Sequence, residues 1–176
     1  MRTALHGLIQ VYTGPGKGKT TAALGLILRA LGHGRQVLLV RLLKPADPVS
    51  GELLALENFP GIRVINAGVG VLGRNVDNDQ VRKSVLQALD EASRFWLASH
   101  VDLLVIDEIN NALHRKLIDV EELWSLLASR PSAMEVVMTG RNAPKELLER
   151  ADLVTSMECL RHPLQNGIPA RQGIEY

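Results

Sequence analysis

Thr13-Gly14-Pro15-Gly16-Lys17-Gly18-Lys19-Thr20-Thr21 is the stretch on which the rest of the chain depends. The apolar run Gly7 to Tyr12 precedes it and reads as a buried strand. Ala22 to Leu31 follows it and reads as a helix. A strand, a glycine loop, Gly-Lys-Thr and a helix in that order form the setting of a phosphate-binding P-loop. Thr13 stands where the usual pattern begins with glycine, and Gly14 next to it supplies the freedom of the turn.

The residue types follow from the chemistry of a polyphosphate. The anion must reach bare backbone N–H groups, so Gly14, Pro15, Gly16, Lys17 and Gly18 form a loop of mostly small residues. The helix beginning near Lys19 directs its positive end at the same point. Lys19 reaches outer phosphate oxygens, and the Thr20 hydroxyl, followed by Thr21, is placed to ligate Mg²⁺.

Working outward, 176 residues with 46% apolar side chains suit a single globular domain, 1–176, with a sizeable core, and exclude disorder. A formal net charge of +1 gives no general field for nucleic acid or an anionic membrane. With 3% aromatics there is little material for base stacking. The single cysteine, Cys159, leaves no internal disulfide, and its apolar, strand-like neighbours suggest a buried structural thiol. The first residues carry no long apolar core, and no apolar run reaches the ~20 residues needed to span a bilayer. The expectation is a cytoplasmic protein.

Strands and helices alternate, which implies an α/β fold with a mainly parallel sheet of about six strands. The further strands are expected over Gln36 to Leu43, Ile62 to Ala67, Val101 to Ile106, Glu135 to Thr139 and Leu153 to Leu160. Gly32-His33-Gly34 stops the first helix. A short helix is expected from Gly51 to Asn58, and another from Asn142 and Pro144 to Ala151. Asp77 with Gln80, and Asp119 with Glu122, look like capping boxes. Val81, Val85, Leu89, Ala92 and Trp96 mark one buried helical face. The glycine-rich Gly68 to Asn75 reads as an active-site loop or as an ordinary connection.

The apolar strand Leu103 to Ile106 ends in Asp107-Glu108. Behind a P-loop, a carboxylate in this place holds Mg²⁺ directly or through water. Glu108 has two readings, a further metal ligand or the acid that orients an attacking water in a P-loop ATPase. Arg141, after the fifth strand, falls at the carboxyl edge of the sheet, where open α/β sheets bind ligands. No Asn-Lys-x-Asp guanine motif is present.

The finer letters resemble a particular family. Gly7 to Ala23, Arg29 to Gly34, Asp107 to Leu113, Arg130-Pro131, Thr139 to Pro144, His162-Pro163, Gly167 to Arg171 and Gly173 to Tyr176 are similar to segments of the P-loop ATP-dependent cob(I)alamin (corrinoid) adenosyltransferases. The resemblance runs over nearly the whole chain. It implies a three-layer, RecA-like P-loop fold, usually a homodimer, with ATP and a reduced corrinoid as substrates and Mg²⁺ as the metal. A reductase or flavodoxin-type protein would supply electrons. The 5′-deoxyadenosyl group of ATP would pass to cobalt and triphosphate would leave.

On that resemblance Lys19 and Glu108 are the catalytic candidates. Gly14 to Thr21 and Arg29 bind nucleotide, and Thr20, Asp107 and Glu108 hold the metal. The family's loop after the third strand carries Phe and Trp against the corrinoid; here Val69, Val71 and Leu72 stand in that loop. The family's Gln-Phe-x-Lys appears as Arg41-Leu42-Leu43-Lys44. Two other readings stand beside transfer: an ordinary P-loop ATPase, and a non-catalytic relative that binds corrinoid or nucleotide.

Overall fold

Runs of Val, Ile and Leu form the inner strands, because both faces of those strands are covered by helices. In a computed structural model that describes residues 6–44, 50–56, 58–67 and 77–174, the strands are β1 (Ile9–Thr13), β2 (Val37–Arg41), β3 (Ile62–Asn66), β4 (Leu103–Asp107), β5 (Glu135–Thr139) and β6 (Leu153–Ser156). The helices are α1 (Lys19–Gly32), α2 (Gly51–Leu56), α3 (Asn78–Ala98), α4 (Ile109–His114), α5 (Val120–Leu127) and α6 (Lys145–Arg150). The six strands make one sheet in the order β3-β2-β4-β5-β1-β6. Every pairing in it is parallel. The first strand of the chain therefore lies between the last two.

The period of two along each strand divides the core into two layers. Leu38, Val40, Leu104, Ile106, Val136 and Met138 point to the side of α3, α4, α5 and α6. Val37, Leu39, Leu103, Val105 and Val137 point to Ala23 and Ile27 of α1 and Leu53 and Leu56 of α2. Helices thus cover both faces, the three-layer arrangement expected.

The helical signals hold in most particulars. Val81, Val85, Leu89, Ala92 and Trp96 are the buried face of α3. The Asp77 cap is real, but its bond runs from the Asp79 N–H rather than through Gln80. Asp119 and Glu122 form the reciprocal capping box of α5. Helix α4 is an element the sequence reading leaves out, although Ile109, Ala112 and Leu113 carry helical apolar spacing and are buried.

One expectation is overturned. Cys159 is exposed, not a buried core thiol. The sixth strand stops at Ser156 instead of Leu160, and it is the sheet's outer strand, with Leu153 and Val154 41% and 44% exposed. The apolar letters there belong to an edge and to chain leaving it. The glycine-rich loop with Val69, Val71 and Leu72 lies outside the described residues.

Candidate nucleotide site

The loop after β1 gains its shape from three left-handed or tightly packed glycines. Gly18 has φ 117 and starts α1 with no side-chain cap and no acid in the first turn. The free N–H groups of that turn, and the helix dipole behind them, remain available to an anion. Lys19 Nζ folds over the loop and donates to Gly14 O at 2.7 Å and Gly16 O at 2.6 Å. Burial lowers the Lys19 pKa, the Arg141 charge adds to this, and Glu108 and Asp107 oppose it.

Gly14 and Gly16 have a second reason to be glycine. A Cβ on Gly14, at φ 96, would lie 2.5 Å from Met157 O, and one on Gly16 would lie 2.5 Å from Glu158 O. Gly16 N also donates to Met157 O at 2.7 Å. The chain leaving β6 therefore forms the back wall of the loop. Turn and ligand are the reasons legible in the sequence, because the partner segment is some 140 residues away in the chain.

Strand β4 brings Asp107 to the same edge, and its carboxylate is almost completely buried, at 1% exposure. Its Oδ1 accepts from Thr20 Oγ1 at 2.9 Å and from Thr139 Oγ1 at 2.6 Å. Its Oδ2 pairs with Lys44 Nζ at 2.5 Å. Thr139, at the end of β5, also accepts from the Glu108 N–H at 3.1 Å. That bond holds Glu108 in a left-handed backbone, φ 69, which a glutamate adopts only under constraint. Asn111 Nδ2 donates to Glu108 Oε2 at 2.5 Å. Burial and the neighbouring Asp107 raise the Glu108 pKa, while Lys44, Lys19 and Arg141 pull it back.

Of these groups Thr20, Lys44, Glu108 and Asn111 line one cavity of about 490 Å³. Gly16 to Thr21 form its floor, Lys44, Glu52, Glu108, Asn111 and Arg141 its walls, and His162, Gly173 and Ile174 close it from the tail. Lys17 Nζ donates to Ile174 O at 3.2 Å, joining loop and tail. Gly14 and Pro15 shape the turn without lining the cavity. Arg29, expected to bind nucleotide, does not line this cavity. It lies ten residues beyond Lys19 on α1, ~15 Å along the axis, in a separate hollow with His33, Arg35 and His100. Lys44, Thr139 and Asn111 were missed as site residues. Their signals in the sequence are position, at or just beyond the carboxyl ends of β2, β5 and β4, and their place in stretches matched to the family.

A hydroxyl and a carboxylate oxygen 2.9 Å apart are hard donors of the kind Mg²⁺ takes. Among the described residues no three His, Cys, Asp or Glu side chains cluster as a metal cage. Thr20 and Asp107 thus fit a metal that draws its other ligands from phosphate and water. The hydrogen bonds join these two and leave Glu108 on Asn111.

Comparison with known proteins agrees with this architecture. Residues 5–176 match the family model described as ATP:corrinoid adenosyltransferase BtuR/CobO/CobP. A corrinoid adenosyltransferase of a Sinorhizobium species is 36% identical over 99% of this chain and 83% of its own length. That of Pseudomonas aeruginosa is 33% identical over 97% and 84%, and that of Escherichia coli K12 is 32% identical over 97% and 86%. Among solved structures, a KaiC-like protein of Pyrococcus horikoshii superposes with a TM-score of 0.55 over 87% of this chain and 72% of its own. At 18% identity that likeness speaks to the fold alone.

Proposed function

The chain belongs to the ATP:corrinoid adenosyltransferase family, and we infer from this that it transfers the 5′-deoxyadenosyl group of ATP to the cobalt of a reduced corrinoid in cobalamin synthesis. The observation that carries the reading is that the family match spans residues 5–176, taking in loop, acidic strand end and tail, and that these three meet on one cavity.

The chemistry asks little of protein nucleophiles. The electron pair of Co(I) attacks ribose C5′ and becomes the Co–C bond, while the C5′–O bond breaks and triphosphate leaves with the pair of that broken bond. The protein's part is to hold the leaving group and absorb its growing charge. We assign that to the first-turn N–H groups of α1, to Lys19 and to Arg141. Lys19 moves from the loop carbonyls to phosphate oxygens with a small swing of its side chain. Thr20 and Asp107 would hold Mg²⁺, which would neutralise triphosphate charge when bound. Glu108, steadied by Asn111, adds a carboxyl to the same wall.

A homodimer, a flavodoxin-type reductant and a cytoplasmic location are part of the same proposal. Exposed Leu160 and Leu164, 97% and 68% accessible, support a protein partner for the tail. Among the described residues, no helix is long and apolar enough to cross a membrane.

The test is anaerobic incubation with MgATP and chemically reduced corrinoid. The expected products are a light-sensitive adenosylcorrinoid and triphosphate in equal amounts. Formation of ADP and phosphate alone would refute transfer, and its collapse in Glu108→Gln would instead mark an ATPase.

A further inference from the structure

Lys44 stands where a metal ion would be expected to act. Its ammonium lies 2.5 Å from Asp107 Oδ2 and 3.5 Å from Thr20 Oγ1, so it touches both side chains of the metal pair. The preceding residue, Leu43, is 5% exposed and has φ 58, a left-handed backbone rare for leucine. The chain is thus bent at the end of β2 at the point where Lys44 turns to Asp107. The Asp107 side chain is 2% exposed and the Lys44 side chain 22%, so the pair is screened by little water. Lys19 spends its hydrogen bonds on Gly14 and Gly16, which leaves Lys44 as the cation bonded to Asp107.

We propose that Lys44 is a resident counter-cation of Asp107 that excludes a free divalent ion and gives way only when the ion arrives with a polyphosphate. This role of Lys44 presupposes that Thr20 and Asp107 are the metal pair. Two cations crowded on one buried carboxylate repel strongly at low dielectric. A metal ion alone must displace Lys44 into a cavity that also holds Lys19 and Arg141. A metal–triphosphate complex brings the negative oxygens that receive the ammonium. Lys44 is then a positioning residue. It keeps Asp107 aimed, and it makes metal entry conditional on nucleotide.

The experiment uses Mn²⁺ as the probe, with free ion measured by electron paramagnetic resonance and no ATP or corrinoid present. Lys44→Met and Lys44→Gln should bind Mn²⁺ at least ~10-fold more tightly than wild type, and Lys44→Arg should match wild type. Mn²⁺ should also raise the melting temperature of Lys44→Gln by more than that of wild type, which shows that the variant is folded and that the ion binds the native state. Equal Mn²⁺ affinity in wild type and both neutral variants would overturn the inference. A parallel titration with ATP separates the two layers of the argument. If Asp107→Asn takes up Mn²⁺·ATP as tightly as wild type, the metal pair itself is misassigned and the inference falls with it.

Discussion

Lys19 and Glu108 carry opposite electrostatic burdens in one cavity. Lys19 is buried and faces Arg141, so the site is short of negative charge until an anion arrives. Lys19→Ala should lower adenosyl transfer ~10³-fold, since a preorganised donor to the leaving group is lost. Steady-state assay at saturating ATP checks this, and wild-type turnover in the variant would remove Lys19 from the mechanism. Glu108 has the reverse problem. Burial and Asp107 raise its pKa, so the folded state binds this proton more tightly than the unfolded one. Its cost is absent below the ordinary carboxylate range and grows as pH rises through the raised value. Glu108→Gln should therefore melt with wild type near pH 4 and ~2 °C above it near pH 8. A gap that does not change with pH would show that the buried charge is not its cause.

Among the elements, loop, α1 and β4 could be read from letters because their signals are local. Gly-Lys-Thr-Thr sets the helix start, and Leu-Leu-Val-Ile-Asp sets the strand and its acid. The partners of that acid could not be read. Lys44 and Thr139 reach Asp107 from β2 and β5, the strands on either side of β4, and strand order is not written in any one segment. Cys159 failed for the same reason. An apolar run says strand but not whether the strand is inner or outer. Arg29 was matched by letters alone, and letters on a helix do not say how far along its axis a ligand reaches. The packing of the loop on Met157 and Glu158 gives an element-level test. Gly16→Ala places a Cβ 2.5 Å from Glu158 O, and should cost about 2 kcal/mol and lower the melting temperature by ~4–8 °C. Melting within 1 °C of wild type would show that the back wall yields.

For the molecule as a whole, the sheet and the cavity wall belong to different stability classes. The sheet carries the buried core. The tail from Arg161 to Ile174 contributes no buried residue, yet His162, Gly173 and Ile174 close the cavity. Deleting residues 161–176 should leave the melting temperature within ~2 °C of wild type, while KM for ATP rises ~10-fold. Thermal melting and initial rates on the same sample separate the two. A large loss of stability would mean that the tail holds the fold together. Removing it should also shift sedimentation towards monomer if exposed Leu164 meets a second copy.

The place of β1 in the sheet has a consequence for biosynthesis. The strand made first pairs only with β5 and β6, the strands made last. At elongation rates of ~5–20 residues per second its neighbours reach the ribosome exit on the order of ten seconds after it does. Through that interval the apolar segment before the phosphate loop is an unpaired edge, and the loop has no back wall to hold its shape. Nucleotide cannot help the early chain to fold, because the pocket that would receive it needs β5, β6 and the chain after them. Nascent chains stalled before residue 135 should therefore not be retained on ATP resin, and a chaperone that shields extended apolar segments would find this protein a client early in its translation.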